Sequence, residues 1–201
     1  MNLPNKLSLL RIFLIPLMLI TFYVEALPVR FIITAVIFAL AAFTDFLDGY
    51  IARKYNMVTD FGKFIDPIAD KILVLSAFVI MLTNPIILSG PLGYTFGAVI
   101  GGVGVTIIVA REMTVSVLRM IAAEKGIVLA AEKIGKLKTL VTDFAIILLF
   151  VTAELKLICL GTVYVVFYYI SLALYLISVI LTIYSGIFYL VKNKELFKQC
   201  K

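Results

Sequence analysis

The 201-residue sequence has no histidine, only two cysteines and few charges, 15% of its residues. Without imidazole, Ser-His-Asp and Cys-His catalysis are excluded, as is any metal site built on ring nitrogen, so a bound metal must be held by oxygen. Cys159 and Cys200 fit no zinc or disulfide spacing, and the topology below puts them on opposite sides of a membrane. The shortage of charge excludes an ordinary water-soluble domain, in which about a quarter of residues are charged. Hydrophobic residues make up 63% of the chain and the mean hydropathy is +1.15. A membrane helix takes about 20 residues, so the chain has room for roughly six or seven spans and for no separate soluble domain.

Apolar runs bounded by charge, proline or glycine predict a single all-α membrane-embedded domain, residues 1–201. Its six expected spans are about 8–24, 31–52, 64–83, 95–120, 139–157 and 163–190. Val24 and Ala26 give the first run a faint likeness to a signal peptide, but Pro28 and five further runs favour an uncleaved helix. Of the 18 Lys and Arg, all but Arg30 and Lys156 fall on one side of this arrangement. The positive-inside rule then predicts both termini in the cytoplasm and a multi-pass protein of the cell membrane. Lys192, Lys194, Lys198 and Lys201 would lie against anionic headgroups. The net charge of +6 reads as orientation and not as nucleic-acid binding, for no basic stripe is interleaved with aromatics. Gly97, Gly101, Gly102 and Gly104 follow no strand and predict close helix packing, not a phosphate loop. The aromatics from Tyr164 to Tyr189 read as interface belt and lipid-facing filler.

Chemistry concentrates in Asp45-x-x-Asp48-Gly49-x-x-Ala52-Arg53, eight residues, then Gly62-x-x-x-Asp66-x-x-x-Asp70. An ionised carboxylate near hydrocarbon costs at least about 2.5 kcal/mol, so four of them demand compensation. The i, i+3 and i, i+4 spacings put each pair on one helix face, and a hairpin turning near residue 57 or 58 brings the two pairs together. Converging carboxylates suit one or two hard divalent ions, magnesium or manganese, and such ions work best on substrates that bring phosphate oxygens. That predicts a pyrophosphate substrate. Gly49 and Gly62 would admit a nucleotide to the backbone, Ala52 would keep the face low, and Arg53 would clamp a phosphate. Pro67 is expected in the first turn of its helix, where proline is tolerated. The alternative reading of the aspartates is an ion path or proton relay in a transporter.

This pattern resembles the signature of the CDP-alcohol phosphotransferases at every fixed position from Asp45 to Asp70. The likeness extends to Pro4-Asn5-x-Leu7-Ser8-x-x-Arg11, Arg111-Glu112, Ser116, Leu118-Arg119, Ala122 to Gly126 and Gly135-Lys136-x-Lys138-Thr139, which are similar to the branch using sn-glycerol 3-phosphate as acceptor. Ser8 stands where the family usually has Thr, and Thr142 where many members have Gln. The resemblance implies six membrane helices, a homodimer and a cytoplasm-facing site with two metal ions. It makes Asp45, Asp48, Asp66 and Asp70 the metal ligands, with Asp70 also the catalytic base, and gives Gly49, Ala52, Arg53 and Gly62 to the CDP-diacylglycerol donor. The implied reaction transfers a phosphatidyl group from that donor to glycerol 3-phosphate and releases CMP.

A phosphomonoester acceptor needs an anion site of its own. Arg111 and Arg119, about two helical turns apart, with Lys136 and Lys138, are the candidates, Arg for bidentate and Lys for point-charge recognition. Glu112 is expected to orient one of these cations and not to bind metal, and Asp143 has no assigned role. Rival acceptors within the family are inositol phosphate and serine.

Overall fold

A computed structural model describes residues 3–55, 60–124, 133–158 and 161–193. Every regular element among the described residues is a helix: α1 (Leu3–Tyr23), α2 (Arg30–Lys54), α3 (Asp60–Thr83), the single turn α4 (Pro85–Leu88), α5 (Tyr94–Glu124), α6 (Lys133–Ile158) and α7 (Thr162–Lys192). Among the described residues, four stretches are long and apolar enough to cross a membrane: Asn5–Tyr23, Arg30–Ile51, Tyr94–Ala123 and Thr162–Lys192. Helices α3 and α6 are of similar length, 24 and 26 residues. Asp66, Asp70 and Lys71 interrupt the apolar character of one, and Asp143, Glu154 and Lys156 that of the other.

Helix α1 packs along α2 and α6 along α7, α2 also meets α6, and α3 fits between α1 and α5, which leans on α7. The inward stripe of α1 is Asn5, Ser8, Arg11, Ile15, Met18 and Phe22, spaced three or four residues apart and all buried. Its polar half ends at the acidic cluster, and its apolar half joins Phe31, Phe38, Phe78 and Phe150 in the core. Phe13, Phe46, Phe144 and Ile180 point outward, as lipid contact requires. Because α3 begins at Asp60, Pro67 lies two turns inside the helix and not in its first turn. The helix extends through the polar residues before the apolar run, and proline there removes one backbone donor near the helix's charged end.

Lipid is as apolar as leucine, so close approach and interhelical hydrogen bonds must hold such a bundle together. A Cβ on Gly101 would lie 2.2 Å from Leu88 Cδ1, and one on Gly104 2.4 Å from Tyr175 Oη. Gly97, Gly101 and Gly104 therefore serve contact of α5 with α4 and α7, as expected, whereas Gly102 faces open space and departs from that expectation. Tyr175 Oη donates to Gly101 O at 2.9 Å, and Tyr168 Oη to Leu88 O at 3.3 Å. Tyr169, Tyr184 and Phe188 are exposed as expected of interface belt and lipid filler, but Tyr168, Tyr175 and Tyr189 are buried, which corrects that expectation for these three. Their hydroxyls find partners on α4 and α5 that lipid cannot offer. Ser171, Ser178, Thr182 and Ser185 complete the inner face of α7, each donating to a carbonyl of its own helix.

The end away from the acidic cluster is tied by two charged groups of α6. Glu154 Oε2 accepts from Phe31 N at 2.9 Å, satisfying a first-turn donor of α2, and Lys156 Nζ donates to Ser89 O at 2.5 Å. Val29, which precedes α2, holds φ 49°, a left-handed conformation that a β-branched residue adopts only where its surroundings impose it.

Gly104→Leu is expected to force α5 from α7, lowering stability by about 1–3 kcal/mol and with it the thermal midpoint of the detergent-purified protein. Gly102→Leu, where a Cβ meets nothing within 4 Å, is the control and should leave that midpoint in place.

Candidate active site

The acidic cluster is assembled by a residue of α1. Arg11 has no exposed surface, and its Nη2 donates to Asp48 Oδ2 at 2.5 Å. Its Nη1 lies 2.8 Å from Asp45 Oδ1, out of hydrogen-bond alignment. One turn earlier Ser8 Oγ donates to Asp66 Oδ1 at 2.5 Å and lies 3.5 Å from Asp48 Oδ2. Three carboxylates from α2 and α3 thus meet two polar side chains of α1. Asp48 is buried, while the Asp45 side chain is 45% exposed. The fourth, Asp70, lies one turn beyond Asp66 on α3 and lines a cleft with Glu112 and Lys138, within electrostatic range of Asp45 and Arg11. Gly49 and Gly62 lie in the same two helices, Gly62 buried. Ala52 and Arg53 are in the last turn of α2, and their side chains lie outside the described residues. So do Cys159, Cys200, Gly126, Lys125 and the tail beyond Asn193.

From Asp70 a cleft runs between α3, α5 and α6. Asp70, Lys71, Glu112, Lys138, Thr139 and Asp143 supply its polar lining, and Val74, Phe78 and Ile108 are among its apolar walls. Glu112 Oε1 bridges two cations, Arg111 Nη1 at 2.9 Å and Lys138 Nζ, and so holds the buried Lys138 against the cleft as the expected cation-orienting group. Lys71 Nζ donates to Ser116 Oγ at 2.5 Å and joins α3 to α5. Arg111 also packs toward α7, where a Cβ on Gly186 would lie 3.1 Å from its Cγ.

The predicted acceptor cations do not all meet. Lys138 lines the cleft and Arg111 is coupled to it through Glu112. Arg119 turns to α7, its Nε 3.4 Å from Tyr189 Oη and its guanidinium over that ring at 5.7 Å. Lys136 is exposed and is not among the residues lining the cleft. Sequence reasoning gave no site role to Arg11, Ser8 or Lys71. A lone arginine within an otherwise apolar span was the available signal, since a charge there needs a partner.

The donor set of carboxylates and hydroxyl suits a hard divalent cation. Among the described residues, however, no three acidic side chains are arranged to hold a metal ion. Arg11 occupies the space between Asp45 and Asp48, for converging anions need a positive charge between them and the buried guanidinium provides it.

Residues 1–188 match the CDP-alcohol phosphatidyltransferase family. The chain is 37% identical to a Bacillus subtilis protein named CDP-diacylglycerol--glycerol-3-phosphate 3-phosphatidyltransferase, over 98% of this chain and 97% of the relative. A Rickettsia bellii protein of the same name is 39% identical over 74% of each chain. A rice protein named cardiolipin synthase (CMP-forming) is 39% identical over 69% of this chain and 42% of its own.

Removing one member of a buried ion pair typically costs about 3–5 kcal/mol. Arg11→Met is therefore expected to lower the thermal midpoint in detergent sharply, and Arg11→Met combined with Asp48→Asn to recover part of the loss. A double variant no more stable than the single one would contradict the pairing.

Proposed function

The chain belongs to the CDP-alcohol phosphatidyltransferase family, and from that premise we propose that it transfers a phosphatidyl group from CDP-diacylglycerol to sn-glycerol 3-phosphate, releasing CMP. The observation that carries this reading is the position of Asp70, between the acidic cluster of α2 and α3 and a cleft bearing Lys138 and Lys71. One side suits a pyrophosphate with its metal ions, the other a phosphomonoester. The names of the bacterial relatives, which pair these two substrates, support the assignment.

In this reading an acceptor hydroxyl attacks the phosphorus that carries diacylglycerol. The new P–O bond forms as the P–O bond to CMP breaks, CMP departs with the bond's electrons, and the hydroxyl proton passes to an Asp70 oxygen. Lys138, steadied by Glu112, holds the acceptor phosphate, and Arg111 reinforces that network. Arg119 and Lys136 belong to the rim, guiding anions inward. Gly49, Ala52, Arg53 and Gly62 border the CDP portion. Asp45, Asp48, Asp66 and Asp70 would hold two magnesium or manganese ions only where these take the place that the Arg11 guanidinium holds between Asp45 and Asp48, and when bound they would neutralise pyrophosphate charge. Direct displacement is preferred to a covalent intermediate, because the chain has no histidine and neither cysteine neighbours the motif.

Six crossings are part of the proposal, with α3 and α6 inserted despite their charges because Asp70, Lys71 and Asp143 face the site while Glu154 and Lys156 are engaged by backbone groups at the opposite end. The distribution of Lys and Arg supports cytoplasmic termini and a cytoplasm-facing site. The homodimer rests on the resemblance alone, and light scattering of the protein in detergent would measure it.

The purified protein should release CMP from CDP-diacylglycerol only with glycerol 3-phosphate present, and a chelator should abolish the reaction. Asp70→Asn should lower kcat by about 100-fold or more, whereas Lys138→Met should chiefly raise the KM for glycerol 3-phosphate, about tenfold or more. Chelator-insensitive turnover in Asp70→Asn would reject the mechanism. Faster CMP release with inositol phosphate or serine would reassign the acceptor.

A further inference from the structure

The cleft contains a carboxylate that neither the signature motif nor the reaction above uses. Asp143 lies on α6, in the cleft wall that also carries Lys138, Thr139 and Thr142. It is only partly exposed, and no hydrogen-bond or ion-pair partner for it is found among the described residues. It lines the same cleft as Asp70 and Lys138, the groups to which the reaction assigns the acceptor's hydroxyl and phosphate. Its neighbours on the wall are already engaged. Thr139 and Thr142 donate to the helix carbonyls of Gly135 and Lys138, and the Lys138 ammonium is held by Glu112. A half-buried carboxylate that lacks a donor is poorly stabilised, and two carboxylates lining one cleft, Asp70 and Asp143, repel unless something lies between them. A ligand with a hydroxyl to donate would remedy both.

Glycerol 3-phosphate has such a group. One hydroxyl attacks, and the other is left in a cleft whose polar wall must bind it or exclude it. Lys138 and Asp143 are five residues apart, about 7.5 Å along the helix axis, comparable with the length of a three-carbon phosphomonoester. The geometry points to Asp143 as the specificity-determining residue for a polyol phosphate: it accepts a hydrogen bond from the acceptor's second, non-attacking hydroxyl while Lys138 holds the phosphate. The inference rests on the proposed reaction and adds to it the feature of the acceptor that the enzyme reads. A site built to receive a hydroxyl discriminates strongly against an analogue lacking it, since its polar group is then left buried without a partner.

The test compares glycerol 3-phosphate with 3-hydroxypropyl phosphate, which keeps the primary hydroxyl and the phosphate but lacks the secondary hydroxyl. CMP release is measured for wild type, Asp143→Ala and the isosteric Asp143→Asn in detergent micelles with CDP-diacylglycerol. Wild type should prefer glycerol 3-phosphate by about 10- to 100-fold in kcat/KM, and the preference should fall at least about tenfold in Asp143→Ala, with KM for CDP-diacylglycerol little changed. Asp143→Asn, which keeps a carbonyl acceptor, should retain an intermediate preference and covers the case in which Asp143→Ala does not fold. A wild type indifferent to the missing hydroxyl would overturn the inference, as would variants that lose activity toward both acceptors in equal proportion. Failure of wild type to release CMP with either acceptor would overturn the proposed reaction along with it, so the two failures are told apart by the wild-type protein alone.

Discussion

A single buried guanidinium organises the molecule's acidic end. Three helices converge there, and two of them bring aspartates into an interior that water does not freely reach. Coulomb repulsion among those groups would drive α2 and α3 apart if nothing intervened. Arg11, rooted in α1, meets both acids of α2, while Ser8 one turn away ties α2 to α3 through Asp48 and Asp66. Burying charge in this way gains little net stability compared with apolar packing, but it fixes which groups face each other. In a bundle surrounded by lipid, where burying one more leucine gains almost nothing, that selection is what the fold requires.

The opposite end uses the same device with other atoms. Glu154 and Lys156 sit two residues apart in the last turns of α6 and engage backbone of α2 and of the connection after α4, respectively. Between these two polar layers the interior is apolar, with glycine at the points of closest approach. The bundle is fastened at its ends and packed tightly through its middle, and the cleft lies beside the acidic end where α3, α5 and α6 meet.

How much of this could be read from the sequence depends on the range of the interaction. The helices and the pairing of acids on shared faces follow from spacing of three, four or seven residues, which one helix fixes by itself. The packing role of Gly97, Gly101 and Gly104 followed too, because small residues inside an apolar run have few other uses, though Gly102 in the same run packs against nothing. Partners 37 and 123 residues apart, such as Arg11 with Asp48 or Phe31 with Glu154, leave no local trace. The buried tyrosines of α7 were misjudged for the same reason: an aromatic that faces lipid and one that bonds to a neighbouring helix look alike until the neighbour is known. Arg119 and Lys138 both read as basic groups flanking a span, and only tertiary contacts separate the one beside Tyr189 from the one lining the cleft.

The inner face of α7 bears on how such a chain is assembled. Its serines and threonine satisfy themselves on their own helix before any neighbour arrives, so the helix presents few unmet polar groups to hydrocarbon. It can enter the bilayer as an independent rod and dock afterwards, when its tyrosines reach the carbonyls of Leu88 and Gly101. Biogenesis of the last segment then separates into insertion, governed by the helix alone, and recognition, governed by two phenol groups.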